Sequence, residues 1–173
     1  MITIFSCTDR SESNSKIIAE IALFESENQG LEAQVYSLKD LPSNFFKDAG
    51  YGEPPESFKE VLNTYIRPVK QFLFVVPEYN GSYPGVLKYF LDTIHPSEWE
   101  GKKACLIGIA SGRAGNLRGL DHLTAVLNYL KIEVYSQKPS LSSIHKYLNQ
   151  GKLENDEYRE LIQKQIGVLA KAI

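Results

Sequence analysis

The chain has 173 residues, 43% of them hydrophobic and 23% charged, and this composition predicts a single globular domain over residues 1–173 with a substantial core. The formal charge is −2, from 19 basic and 21 acidic residues without a basic stripe, so nucleic acid is not an expected partner. No apolar run approaches the roughly 20 residues that cross a bilayer, and the first residues lack the basic region of a signal peptide, so we expect a cytoplasmic protein without a membrane partner.

The cysteines and histidines argue against a metal or disulfide framework. Cys7 and Cys105 are too few for a tetrahedral metal site, and a two-cysteine chain of this size is not a disulfide scaffold. The three histidines are scattered at no metal-ligand spacing. We therefore expect no metal and reduced thiols.

Strands and helices alternate along the whole chain. Runs rich in β-branched and aromatic residues predict five strands, over residues 2–5, 34–38, 71–76, 104–110 and 132–135. Apolar residues at helical spacing predict five helices, over residues 17–23, 58–65, 86–94, 117–130 and 153–172. The stretch 39–55 is rich in proline and glycine and predicts an irregular connection, long enough for a functional or subunit-contact role.

This alternation predicts an α/β fold with a doubly wound, five-stranded parallel sheet and helices on both faces, because parallel neighbours need long crossovers. In such sheets, ligands bind beyond the carboxyl ends of the strands, near the point where strand order reverses. The loops after the first, third and fourth strands, residues 6–14, 77–84 and 111–116, are the segments richest in Ser, Gly, Asn and Pro. We expect these three loops to meet at one edge of the sheet.

The first loop has the composition of an anion site. Five hydroxyls, one amide and the guanidinium of Arg10 precede a helix, whose N-terminus offers free backbone N–H groups and a positive dipole end. The GxGxxG and GxxxxGK[ST] patterns are missing, so neither a dinucleotide fold of the usual type nor a P-loop is supported. The alternative is that Ser13 or Asn14 is only a helix N-cap.

The other two loops permit a ring-binding role with simpler alternatives. Residues 77–85 follow the most apolar strand and can present backbone groups to a flat heterocycle, with Gly81 permitting close approach. They could equally form an Asn-Gly turn with Pro84 at the first position of the next helix. Residues 111–116 add Arg113, which would either serve the site or be a solvated loop side chain.

Together the loops resemble a known family. Residues 6–15, SCTDRSESNS, resemble the pattern S-G-[ST]-x-R-x-x-S-N-[ST] of the NADPH-dependent FMN reductase family, a flavodoxin-like group. Residues 77–88, PEYNGSYPGVLK, are similar to that family's P-E-Y-N-x-S-x-P-G-x-L-K signature nearly throughout. Residues 101–103 and 111–118 resemble its third segment, and the similarity spans roughly residues 1–135.

The resemblance implies an FMN site built from the three loops. The FMN phosphate would contact Thr8, Arg10, Ser13, Asn14 and Ser15. The ribityl chain and isoalloxazine would lie against Pro77, Glu78, Tyr79, Asn80, Gly81 and Ser82. The pyrimidine side of the ring would be closed by Ser111, Gly112 and Arg113.

The resemblance also implies a reaction and an assembly. Hydride would pass from NADPH or NADH to the flavin, and electrons would then pass to a small-molecule acceptor: a quinone, free flavin, azo dye or metal oxyanion. The flavin carries this chemistry, so no catalytic acid or base is required. Members of this family commonly form oligomers, so the resemblance implies a homodimer or homotetramer. Residues 39–55 or the helix at 84–95 would form the contact surface.

Two residues depart from the family pattern. Cys7 stands where the family usually has glycine, and its side chain would be strained if that position needs positive φ or a close phosphate approach. Asp9 puts a carboxylate into the phosphate loop, where like charge opposes binding unless the side chain turns outward or caps a backbone N–H. Two alternatives therefore stand beside the enzyme: a non-catalytic FMN-binding electron carrier and a flavin-free remnant of the fold.

Overall fold

The computed structural model describes residues 1–171, which fold around one parallel sheet. Its five strands are β1 (Ile2–Ser6), β2 (Ala33–Ser37), β3 (Gln71–Pro77), β4 (Lys103–Ile109) and β5 (Glu133–Val134). They lie in the order β2-β1-β3-β4-β5, and every pair is parallel. This is the flavodoxin-like order, so the predicted fold class is confirmed.

The edge position beside β4 is filled by two separate pieces of chain. β5 pairs with the first residues of β4, and β6 (Ser140–Leu141) pairs with Gly108 and Ile109 at its carboxyl end. β6 is not predicted from the sequence, since two residues are too few to show a strand period. Its position matters because it brings the segment after it to the carboxyl edge of the sheet.

Helices cover both faces of the sheet. They are α1 (Asn14–Asn28), the short α2 (Phe45–Asp48) and α3 (Lys59–Val61), α4 (Gly85–Thr93), α5 (Leu117–Tyr129) and α6 (Asp156–Ala170). The helix predicted over 58–65 is irregular, because α3 is flanked by a 3₁₀ turn at Glu56–Phe58 and a π-helical turn at Leu62–Ile66. The connection 39–55, predicted as irregular, contains α2.

The closing helix begins later than predicted. Residues 153–155 lie outside it because Leu153 belongs to a small antiparallel hairpin of β7 (Leu148–Asn149) and β8 (Lys152–Leu153). Asn155 is the N-cap of α6, and its Oδ1 accepts a 2.8 Å hydrogen bond from the backbone N–H of Tyr158. The predicted last helical residue, Ala172, lies outside the described residues.

Two apolar cores lie on opposite faces of the sheet. Side chains alternate across a strand, so Phe72 and Phe74 of β3 point into one core and Leu73 and Val75 into the other. The first core is packed by α4 and α5 and is rich in aromatic rings; the second is packed by α1 and α6. This double burial explains why β3 and β4 are continuous apolar runs rather than alternating ones.

A buried lysine joins the sheet to the π-helical turn. Lys102, next to β4, is 5% exposed, and its ammonium donates hydrogen bonds to the carbonyls of Ile66 and, at 2.7 Å, Val69. The ammonium also lies 5.5 Å from the ring centroid of Phe72. Burial, reinforced by the nearby charge of Lys70, lowers the pKa of Lys102 to about 8.

Candidate functional site

Three loops meet around an open cleft of about 220 Å³ at the carboxyl edge of the sheet. β1, β3 and β4 are neighbours and parallel, so their following loops emerge at the same edge. The lining comes from the first loop (Thr8, Arg10, Glu12, Ser13, Asn14, Ser15), the second (Pro77, Glu78, Tyr79), the end of β4 and the third loop (Ile109, Ala110, Ser111), and Ile144. The predicted meeting of the loops is therefore observed.

The first loop presents hydroxyls at the N-terminus of α1. Ser13 is the N-cap, and its Oγ accepts a 3.2 Å hydrogen bond from the backbone N–H of Ser15. The Ser15 hydroxyl lies 2.6 Å from Ser13 Oγ and 3.0 Å from Ser6 Oγ. Ser13 thus fulfils the capping alternative and lines the cleft as well. No acidic residue lies in the first turn of this 15-residue helix, so its positive dipole end is not neutralised from within the helix.

Hydrogen bonds connect the loops to one another. Tyr79 OH and Thr8 Oγ1 are 2.7 Å apart and join the second loop to the first. Thr8 Oγ1 also accepts a 3.4 Å hydrogen bond from the backbone N–H of Arg10. The backbone N–H of Glu78 donates to the Ile109 carbonyl at 2.9 Å and holds the second loop against the end of β4.

The second loop forms a tight hairpin from Tyr79 to Ser82. Two backbone hydrogen bonds close it, from Tyr79 N–H to Ser82 O at 2.8 Å and from Ser82 N–H to Tyr79 O at 3.0 Å. Asn80 and Gly81 both have positive φ, of 51° and 77°, as a type I′ turn requires. The Asn-Gly turn considered from sequence is present, but Pro84 is the N-cap of α4 rather than its first residue. The turn residues Asn80, Gly81 and Ser82 lie beyond the residues that line the cleft.

One residue of the third loop lines the cleft. Ser111 lines it, whereas Gly112 and Arg113 are exposed and do not. The Gly112 carbonyl accepts a 3.0 Å hydrogen bond from Ser143 N–H, which holds the loop beside the turn that carries Ile144. Sequence reasoning missed Ile144 because only β6 brings it here, and no local pattern marks it.

Residues at the start of α5 support the hairpin. This contact between helix and hairpin was not predicted from the sequence. The buried Asn116, with φ 71°, donates from Nδ2 to the Val76 carbonyl at 3.0 Å. His122 Nδ1 lies 2.9 Å from Ser82 Oγ, and a Cβ at Gly119 would lie 2.7 Å from the Ser82 carbonyl carbon. Gly119 and His122 are three residues apart and lie on one face of α5, and Asn116 is the N-cap of that helix. The i, i+3 spacing of 119 and 122 was the available signal.

The two residues that depart from the family pattern, Cys7 and Asp9, do not line the cleft. Cys7 is fully buried in the aromatic-rich core, its φ is not positive, and its thiol donates to the Phe5 carbonyl at 3.4 Å. The strain that a positive φ would impose at Cys7 is therefore absent. Burial raises the pKa of the Cys7 thiol well above its ordinary value. Asp9 is exposed and does not line the cleft, whereas the exposed Glu12, which the sequence analysis passed over, does.

The sheet order, with a cleft at the carboxyl edge of the sheet beside the N-terminus of α1, places the protein in the flavodoxin-like class. Within that class, the chain belongs to the NADPH-dependent FMN reductase family, whose model matches residues 1–146. An NAD(P)H-dependent FMN reductase of Pseudomonas aeruginosa is 34% identical over 148 residues, covering 81% of this chain and 77% of the relative. A quinone reductase of Pseudomonas putida is 32% identical, covering 89% of this chain and 84% of the relative.

Solved structures agree on the fold. FerB of Paracoccus denitrificans, described as a flavoenzyme NAD(P)H:(acceptor) oxidoreductase, superimposes with a TM-score of 0.74 at 22% identity, covering 98% of this chain and 94% of FerB. An archaeal flavodoxin superimposes with a TM-score of 0.62 at 16% identity, covering 98% of this chain and 97% of that one. Within residues 1–171, no helix is long and apolar enough to cross a membrane, and no cluster of three potential metal-ligating side chains occurs.

Proposed function

We propose that this protein is a single-domain, FMN-dependent NAD(P)H oxidoreductase that passes electrons to small acceptors, with quinones as the principal class. One observation carries the proposal: the hydroxyl-rich N-terminus of α1, with Arg10, shares a cleft with the loops that end β3 and β4. Family membership and the similarity to FMN, quinone and azo reductases support it.

The first loop fits the phosphate of FMN. The phosphate would be held by hydroxyls, backbone N–H groups and one guanidinium, from Thr8, Arg10, Ser13, Asn14 and Ser15. All five line the cleft, and α1 adds the positive end of its dipole. The carboxylate of Glu12 opposes an anion, but its exposure lets it remain in water.

The other two loops fit the ring and the ribityl chain. Four of the proposed contact residues line the cleft: Pro77, Glu78, Tyr79 and Ser111. The outer rim of the contact surface would be formed by Asn80, Gly81, Ser82, Gly112 and Arg113. When bound, FMN supplies the chemistry by accepting hydride from NADPH or NADH and passing electrons to the acceptor. The chain binds and orients the reactants, which requires neither a protein acid nor a protein base.

We also propose a cytoplasmic homodimer or homotetramer formed through an apolar groove. The groove is lined by residues of the 39–55 connection, α4 and α5, among them Tyr51, Leu91, Val126 and Tyr129. Tyr51 is 75% exposed and Tyr129 is 83% exposed. Exposed aromatic side chains of this size are typical of interfaces. Sedimentation velocity of the wild type and of a Tyr129→Glu variant tests the contact: a shift of the variant toward the monomer supports it, and unchanged sedimentation refutes it.

The function is tested by flavin binding and turnover on the same preparation. FMN is titrated into the protein while flavin fluorescence and visible absorbance are followed, and NADPH or NADH oxidation is then measured anaerobically with and without benzoquinone. Saturable binding and quinone-dependent oxidation support the proposal. A colourless preparation that does not bind added FMN refutes it in favour of the flavin-free remnant, and binding without oxidation of either nicotinamide cofactor indicates the electron carrier.

A further inference from the structure

An exposed histidine on α5 is held in a hydrogen bond rather than left in water. His122 Nδ1 lies 2.9 Å from the hydroxyl oxygen of Ser82, 40 residues away along the chain. A solvated histidine ring would otherwise be free to rotate, and a serine hydroxyl likewise turns toward whichever partner is present. The pair therefore fixes the Ser82 side chain and ties the hairpin to the helix.

The hydrogen bond is the first link of a chain that ends in the phosphate loop. Ser82 is joined to Tyr79 by the two backbone hydrogen bonds of the hairpin, at 2.8 and 3.0 Å. Tyr79 then reaches Thr8 through the 2.7 Å contact between its phenol oxygen and Thr8 Oγ1. Thr8 and Tyr79 both line the cleft, whereas His122 lies outside it.

The backbone of α5 reinforces the same contact. Gly119 lets the helix approach so closely that a Cβ there would lie 2.7 Å from the Ser82 carbonyl carbon. From the neighbouring residue Arg118, a guanidinium nitrogen lies 3.4 Å from the place that a Cβ would take at Gly81. The helix thus meets both Gly81 and Ser82, and His122 provides the side-chain hydrogen bond of this contact.

We propose that His122 is a positioning residue for the flavin cleft: by holding Ser82, it keeps the hairpin where Tyr79 closes onto Thr8. This inference rests on the proposed function, because the ligand that benefits is FMN. His122 does not touch the cleft itself and acts through Ser82. Losing one exposed hydrogen bond of this kind is expected to weaken FMN binding about threefold to fivefold.

Three variants separate positioning from general damage. His122→Leu removes the hydrogen bond, and His122→Asn restores it, because an asparagine side chain places an amide group close to where Nδ1 lies. Asn128→Leu is the matched control, since it puts an exposed leucine on the same helix about 9 Å further along. We expect FMN affinity, measured by fluorescence quenching, to fall only in His122→Leu and to return in His122→Asn.

A second measurement needs no flavin. Amide hydrogen exchange of Tyr79 and Ser82 in the flavin-free protein reports on the hairpin directly, and we expect it to quicken about threefold to fivefold in His122→Leu alone. Unchanged exchange, unchanged FMN affinity, or a His122→Asn variant as impaired as His122→Leu would each overturn the positioning role. Failure of the wild type to bind FMN would instead overturn the proposed function, while the exchange rates still decide whether His122 holds the hairpin.

Discussion

Replacing Gly119 with alanine tests the close packing of α5 against the hairpin, because the packing decides whether the free energy of unfolding falls or rises. Helix propensity alone predicts that Gly→Ala inside a helix stabilises by about 1 kcal/mol. At Gly119, the new Cβ would collide with Oδ1 of Asn116 and lie 2.7 Å from the Ser82 carbonyl carbon. Overpacking of this kind costs about 1–3 kcal/mol. Displacing Asn116 also loses its hydrogen bond to the Val76 carbonyl, worth about 1 kcal/mol.

The net expectation is that Gly119→Ala lowers the free energy of unfolding by about 1–3 kcal/mol. Gly167→Ala in α6 is the matched control, because among residues 1–171 its Cβ would meet only Gln29 Oε1, at 3.6 Å, an ordinary contact. We expect the control to stabilise by about 0.5–1 kcal/mol. Urea unfolding followed by circular dichroism measures both. If Gly119→Ala stabilises the protein as much as Gly167→Ala does, the close approach of helix and hairpin is refuted.

Arg10→Ala should weaken FMN binding about tenfold, because one charge-assisted contact is lost. Lys16 does not line the cleft, so Lys16→Ala should leave FMN affinity unchanged. Equal affinities of the two variants would show that Arg10 does not hold the phosphate. Burial lowers the pKa of Lys102 in the folded protein to about 8, below the ordinary 10.5. Between these two pH values the unfolded chain binds more protons than the folded one. The free energy of unfolding of the wild type should therefore rise with pH from about 8 to 10.5. Lys102→Met should lack this rise, and parallel pH–stability curves from urea unfolding would contradict the assignment. Cys7 and Cys105 are buried with raised pKa values, so a thiol reagent such as dithiobis-nitrobenzoate should label both slowly in the native protein and rapidly in urea; fast native labelling would refute their burial.

The site could be predicted from sequence where its residues are close along the chain. Residues 6–15 run from the last residue of β1 into the first turn of α1, so the arrangement of their hydroxyls and of Arg10 follows from one strand-to-helix connection. The Asn-Gly turn is equally local, because asparagine and glycine tolerate the positive φ of a type I′ turn better than other residues. Local steric preferences and hydrogen bonds are sufficient to explain these parts.

Other parts of the site could not be predicted in this way. Glu12 was passed over although it lies in the analysed loop, because a sequence does not say which side chains of a loop turn inward. Ile144 reaches the cleft only because β6 pairs with the end of β4, and β6 is too short to carry a pattern. The start of α6 was misplaced because the small β7–β8 hairpin takes Leu153 into the second core.

The sequence by itself determined the succession of strands and helices, the double burial of β3 and β4, and the loops that follow each strand, since each depends on hydrophobic period and turn chemistry within about a dozen residues. Only the tertiary structure decided how those loops are held. His122 meets Ser82 across 40 residues, and Tyr79 meets Thr8 across 71. The order of the strands and the packing of α5 on the sheet bring these residues together, so no local pattern says which residues will pair.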